Sequence, residues 1–229
     1  MTGWSDILTS ALTLIDDVRW REDLQTSPAL FYRAKSDYVR MAMPMLNRPP
    51  QLQYALENGM QTPSFGEASW ISPPGGTFTP TDVSTGMIGY SLCSVTIRGA
   101  DGMLTPYTGA TYNAETGVVT FPEQTGGNVE YSIDFYTDGE FPDLTPTEMR
   151  LFALAVAIVW DEHFDRNWLN LQPKIKDASF ETVNEATFSK QANERMRKNR
   201  AILSDELNKY EQDCAYRNRL KPPYSTTLI

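Results

Sequence analysis

Histidine is almost missing from this 229-residue chain, and His163 is the single copy. That excludes the paired-histidine helix of a zinc protease, which needs two imidazoles four residues apart. The two cysteines, Cys93 and Cys214, lie far apart and form no metal-binding pair, so two buried free thiols are expected rather than a disulfide. There is no Gly-x-Ser-x-Gly elbow, no Gly-x-x-x-x-Gly-Lys and no Gly-x-Gly-x-x-Gly. A strained serine nucleophile, a phosphate cradle and a dinucleotide turn are therefore not encoded in their usual forms. No apolar run approaches the roughly 20 residues that cross a bilayer. The best stretch, 151–160, is far too short, and no membrane partner is expected. The opening Met1-Thr2-Gly3-Trp4-Ser5-Asp6 has no basic region or cleavage site, which leads us to expect synthesis in a cytoplasm.

Basic residues are the next scarcity. Between 65 and 140 there are nine acids and one base, Arg98. Residues 1–64 carry seven acids and six bases, and 141–229 carry thirteen of each, so nearly all of the net charge of -9 sits in the middle. A pI near 4.7 opposes an electrostatic grip on phosphates, although nucleic acid can slide past a surface that repels it. The carboxylates of the middle block are scattered rather than set in a calcium loop, so no metal is expected there. A separately charged block suggests a projection from a base, facing outward or toward a partner.

The flanks read as helices. Trp4, Ile7, Leu8, Ala11, Leu12, Ile15 and Val18 recur at helical steps and predict a helix over 3–18. Ser27-Pro28 reads as an N-cap followed by proline at the first helical position, opening a second helix that Pro44 and Pro49-Pro50 end. A short turn of helix is expected at 51–57. In the middle, 65–71, 88–97, 105–112, 117–121 and 129–136 read as short strands between turn-rich pieces, with a hairpin at 112–118. Thr145 and Glu148 stand at capping-box spacing around Pro146, before a helix to about residue 168 that is apolar nearly all round. A long helix over 182–217 follows. Its seam of Phe188, Ala192, Met196, Asn199, Leu203, Leu207, Tyr210 and Cys214 is narrow, and its other face is charged.

The fold class is therefore α+β. A bundle of about four helices, with a long C-terminal one, is interrupted by a small antiparallel β-sandwich or barrel. The divisions are 1–64 for N-terminal helices, 65–140 for the acidic insertion, 141–218 for the central and long helices, and 219–229 for an extended docking tail. We read the long helix as too thinly apolar to be covered within one subunit.

No chemistry-bearing group emerges. Asp161, Glu162, His163 and Asp165 cluster in sequence, but neighbours on a helix point apart, and a polar helix end is the simpler reading. The tyrosines and phenylalanines of the insertion could make a sugar platform, but fill the interior of small sandwiches more often. No enzyme and no cofactor is expected.

With the elements in this order, the chain resembles tailed-phage head-to-tail connector proteins, the adaptors of the virion neck. The resemblance rests on amphipathic opening helices and a β insertion. These are followed by the run 135–141 into Leu144-Thr145-Pro146-Thr147-Glu148, then 154–160 and a long final helix. The segments 168–177 and 210–218 look like stretches of the gut-phage group. The resemblance implies a homo-oligomeric ring of roughly twelve copies. The ring would sit between the portal protein and the next neck or tail protein, around DNA that passes without specific binding. It implies residence in the virion and a docking role, on portal or neighbour, for Leu220, Pro222, Pro223, Tyr224, Leu228 and Ile229. Trp160, Trp168, Met196, Leu203, Leu207 and Tyr210 are the candidates for subunit contacts. The insertion departs from a minimal adaptor, so its role does not transfer. Another neck or tail subunit (stopper, collar or tail terminator) is the alternative, with a carbohydrate-binding module behind it.

Overall fold

Two kinds of periodicity build two bodies of one α+β fold. The computed structural model describes residues 1–229 except 16, 59, 76, 79, 100–101, 123, 126, 172–184 and 221–229. Side chains at 51, 55, 58, 77–78, 124–125, 164–171, 185–189, 191–192 and 217–220 are also outside the description. In chain order come β1 (Thr2–Gly3), α1 (Trp4–Leu12), α2 (Val18–Thr26), α3 (Pro28–Ala42), a 3-10 turn (Met43–Met45) and α4 (Pro50–Asn58). The strands β2 (Ser64–Ile71), β3 (Thr77–Phe78), β4 (Thr81–Ser84), β5 (Leu92–Arg98) and β6 (Leu104–Tyr107) follow. After them come β7 (Thr111–Asn113), β8 (Val118–Phe121), β9 (Gln124–Thr125), β10 (Glu130–Thr137) and β11 (Glu140–Phe141). Two helices end the order, α5 (Pro146–Leu171) and α6 (Glu185–Leu220).

The strands form antiparallel sheets, one of four strands in the order β2-β10-β5-β6 and one of three in the order β4-β8-β7. Val95, Tyr131, Ile133 and Phe135 of the first meet Val119 and Phe121 of the second in one apolar cluster. Among the described residues no strand pair joins the two sheets, so the insertion is an open sandwich and not a barrel. Its aromatic rings pack against one another, with Trp70 tilted on Phe121 and stacked on Tyr131. The expected hairpin is present: Asn113 pairs with Val118, the Asn113 Oδ1 accepts from the amides of Glu115 and Thr116, and Gly117 takes a φ of 68°.

In the bundle, α5 is the buried centre. Leu151, Phe152, Ala153, Ala155, Val156, Ile158 and Val159 are all buried. The expected capping box starts it: Glu148 Oε2 accepts from the Thr145 amide at 2.7 Å, and Thr145 Oγ1 accepts from the Glu148 amide at 3.3 Å. The expected helix over 3–18 is corrected to two. Helix α1 stops at Leu12, and Asp17 begins α2 by accepting from the Arg19 amide at 2.8 Å. A local cap outcompeted the apolar pattern, which leaves Ile15 buried and Val18 exposed.

The insertion is fastened to the bundle by polar side chains. Helix α3 lies across the outer face of β10 and β5, so Ser94, Thr96, Ser132 and Asp134, which alternate with the sandwich core, are buried and not wet. Ser27 does not cap α3; its hydroxyl is buried with no partner. Ser94 of β5 does the capping instead, with Oγ accepting from the Ala29 amide at 2.9 Å. Helix α1 is capped in the same way. Its N-cap is Gly3, where an added Cβ would stand 2.3 Å from Asp138 Oδ2. Asp138 therefore reaches the helix end and accepts from the Ser5 amide at 3.2 Å and the Ser5 hydroxyl at 2.5 Å, with the Tyr136 hydroxyl donating at 2.7 Å. A carboxylate at that end also meets the positive pole of the helix.

A third tie is ionic. Arg33 of α3 pairs with Asp134, whose side chain is 2% exposed, and with Glu67 of β2 at 2.7 Å. Burial pushes the Asp134 carboxyl above its ordinary range, and Arg33 works in the opposite direction. Three acids of the block, Glu67, Asp134 and Asp138, thus bind groups of the base, Glu67 while still exposed.

Two outcomes follow from these ties. Ser94→Ala strands a buried amide, and chemical denaturation should register a loss of about 1–2 kcal/mol. Arg33→Ala leaves the Asp134 carboxylate buried without its partner. Because Arg33 is one-third exposed, the loss at neutral pH should be about 2 kcal/mol, below the ~3–5 of a fully buried pair. Removing Arg33 raises the folded-state pKa of Asp134 further, so the folded variant holds this proton more tightly than the unfolded chain does. The deficit should shrink as pH falls through that pKa. A constant deficit between neutral and mildly acidic pH would contradict the assignment.

Candidate assembly surfaces

The seam of α6 is matched to α5 of the same chain. Leu203 and Leu207 are 3% and 4% exposed, in the core with Leu151 and Val156. Polar pairs flank them. Asn199 donates to Asp161 at 2.9 Å, and Arg200 holds Glu162 through two bonds of 2.5 and 2.8 Å. At the other end the Tyr210 hydroxyl donates to Glu148 Oε1 at 2.6 Å, and burial, then that carboxylate, pushes the phenol upward. Glu148 therefore serves both the start of α5 and the return of α6.

Two of the expected subunit contacts therefore lie inside the chain. Leu203 and Leu207 are covered within the chain and are not free for a sister copy. Trp160 is half-buried with its ring 6.0 Å from Trp20, so it too packs inside. Tyr210 is tied to Glu148, and Met196 is half-buried. The Trp168 side chain lies outside the described residues, as do Phe188 and Ala192 of the seam. Of the docking tail, Leu220 ends α6 without a described side chain, and Pro222, Pro223, Tyr224, Leu228 and Ile229 lie outside the described residues. Among the described residues of α6, the large apolar side chains left exposed are Ile202 at 42% and Tyr216 at 64%. Neither sits on the seam, so periodicity alone did not single them out.

The polar cluster around His163 is a helix-to-helix joint. Asp161 and Glu162 face α6, while His163 is exposed with its ring edge-on to Tyr38. Among the described residues no group of three His, Cys, Asp or Glu could hold a metal ion. Both cysteines are free and half-buried, and burial pushes the Cys93 thiol up to about 12, which leaves it a poor nucleophile. Two clefts flank the α2–α3 corner where it meets the sandwich. One of about 290 Å³ is lined by Asp23, Ser27, Leu30, Lys35, Leu104 and Pro106 among others. Lys35 sits 5.0 Å over the Trp20 ring, and burial lowers its pKa. The other, of about 230 Å³, includes Cys93, Tyr107 and Tyr112. Neither brings a nucleophile to a base. No helix among the described residues is long and apolar enough to cross a membrane.

No family model matches the chain, and no curated protein does. Among solved structures it is similar to Xanthomonas campestris FlgL in two crystal forms, at 11% and 10% identity with TM-scores of 0.13 and 0.14. Those alignments cover 67% and 72% of this chain, and the chain spans 52% and 57% of theirs. At such scores the likeness carries no argument about fold or function.

Proposed function

We propose that this chain is a structural subunit of a tailed-phage neck, forming a ring between the portal and the tail components and extending the DNA channel. The observation that carries the reading is the α5–α6 hairpin. A buried central helix is paired with a 36-residue helix, roughly 54 Å long, of which the covered seam is only a part. This is the arrangement of elements that the resemblance to connectors leads one to expect, with the sandwich inserted before the capped central helix. The exposed Ile202 and Tyr216 offer apolar contacts along the rod. A net charge of -9 suits a channel wall that DNA passes without being gripped. The role needs no catalytic group, cofactor or metal, and the residence it implies is the virion neck.

Mixing the purified chain with portal protein and measuring mass by light scattering tests this. The expected product is a discrete complex that adds roughly one 25.8 kDa chain per portal subunit. An unchanged portal mass would contradict the reading. Association with tail-tube protein instead would point to a terminator or stopper.

A further inference from the structure

The four-stranded sheet has one long edge on which, among the described residues, only the Phe65 carbonyl is met. Strand β2 pairs with β10 residue for residue from Ser64↔Thr137 to Ile71↔Glu130, with no bulge. The Ser72 amide donates to the Val129 carbonyl at 2.9 Å, one step beyond that register. In an antiparallel ladder, hydrogen-bonded and non-bonded pairs alternate. Ser72, Trp70, Ala68 and Gly66 thus bond inward to β10, and Phe65, Glu67, Ser69 and Ile71 turn their amides and carbonyls away from the sheet. The Tyr90 hydroxyl donating to the Phe65 carbonyl at 3.1 Å agrees with that parity. The outward backbone groups of Glu67, Ser69 and Ile71 have no partner among the described residues.

Natural sheets protect such edges with lysine, proline, bulges or shortness. The edge strand β6 has four residues and carries Pro106, and β4 and β7 have four and three residues. Strand β2 has eight residues, no lysine and no proline, and its one charge, Glu67, is held by Arg33. Ile71 at its end is 60% exposed. An edge left open in this way is a template for one more strand.

The chain contains a segment of suitable composition and length. Nine residues follow Leu220 and reach at most about 30 Å. Pro222-Pro223 bars helix, and Tyr224-Ser225-Thr226-Thr227-Leu228-Ile229 is rich in aromatic and β-branched residues, which favour strands. Six residues extend about 20 Å, within the span of β2.

We propose that residues 224–229 of one copy add as a strand to the outer edge of β2 on a second copy. This deepens the ring reading and rests on it, because joining a tail to a different surface of the next copy is a head-to-tail contact able to close a ring.

The test uses a labelled peptide of residues 221–229 and the full chain. The peptide should bind the chain and slow hydrogen exchange at the amides of Glu67, Ser69 and Ile71 at least tenfold, leaving other amides unchanged. Ser69→Pro removes only an outward N–H, so it should leave melting of the chain close to normal while weakening peptide binding at least tenfold. Equal affinity for a folded Ser69→Pro chain would overturn the proposal, as would protection at any other surface or no binding at millimolar peptide. A monomer whose 67, 69 and 71 amides are already slow and ignore the peptide would place the tail on its own chain, and would also overturn it. Portal association without peptide binding removes this inference alone. Peptide binding without portal association removes the neck assignment and leaves the pairing standing.

Discussion

Two helices of the bundle begin on side chains that the insertion supplies. Asp138 ends α1 from 133 positions away from Ser5, and Ser94 ends α3 from 65 positions away from Ala29. Neither N-cap residue, Gly3 or Ser27, caps its helix with its own side chain, and the local contact of α1 is Asp6 accepting from the Gly3 amide at 2.9 Å. Free first-turn amides buried at a joint cost about 1–3 kcal/mol each when unmet. The bundle therefore depends on the sandwich for part of its stability, and Gly3 is bare so that Asp138 can approach. Sandwich and bundle share these caps, so excising 65–140 would strip them from the helices left behind.

This dependence explains what could be read from the sequence and what could not. The capping box of Thr145 and Glu148, the Asn113-to-Gly117 turn and the seam through Leu203 and Leu207 all have their partners within a few residues or one helical period, so spacing reveals them. Asp138 capping Ser5 has no such signature. Ser27-Pro28 looked complete as a local cap, and Ser94 took the role because β5 packs where α3 starts. The same limit applies to charge. Nine acids against one base implied a uniformly acidic projection, but Glu67, Asp134 and Asp138 answer groups on α3 and α1 that only folding brings near.

The seam of α6 shows how one pattern can fit a partner in the same chain as well as one in a second copy. Its period was legible, and the residues it selects do face a helix. That helix is α5 of the same chain, joined through Asn199, Arg200 and Tyr210 as well as the leucines. The surfaces left for the proposed assembly are ones that periodicity does not mark, namely Ile202, Tyr216 and the outer edge of β2. Open edges are rare where they serve nothing, since they invite aggregation.

The proposed neck role requires this chain to be a repeated part of a particle. Image reconstruction of the purified phage neck, with the copy number of this chain counted in the same particles, is the most direct measurement. The account predicts a closed ring of this chain directly beneath the portal, with each sandwich touching a neighbouring copy. Purified particles that lack the chain, or that hold it as isolated copies with no lateral neighbour, would contradict it.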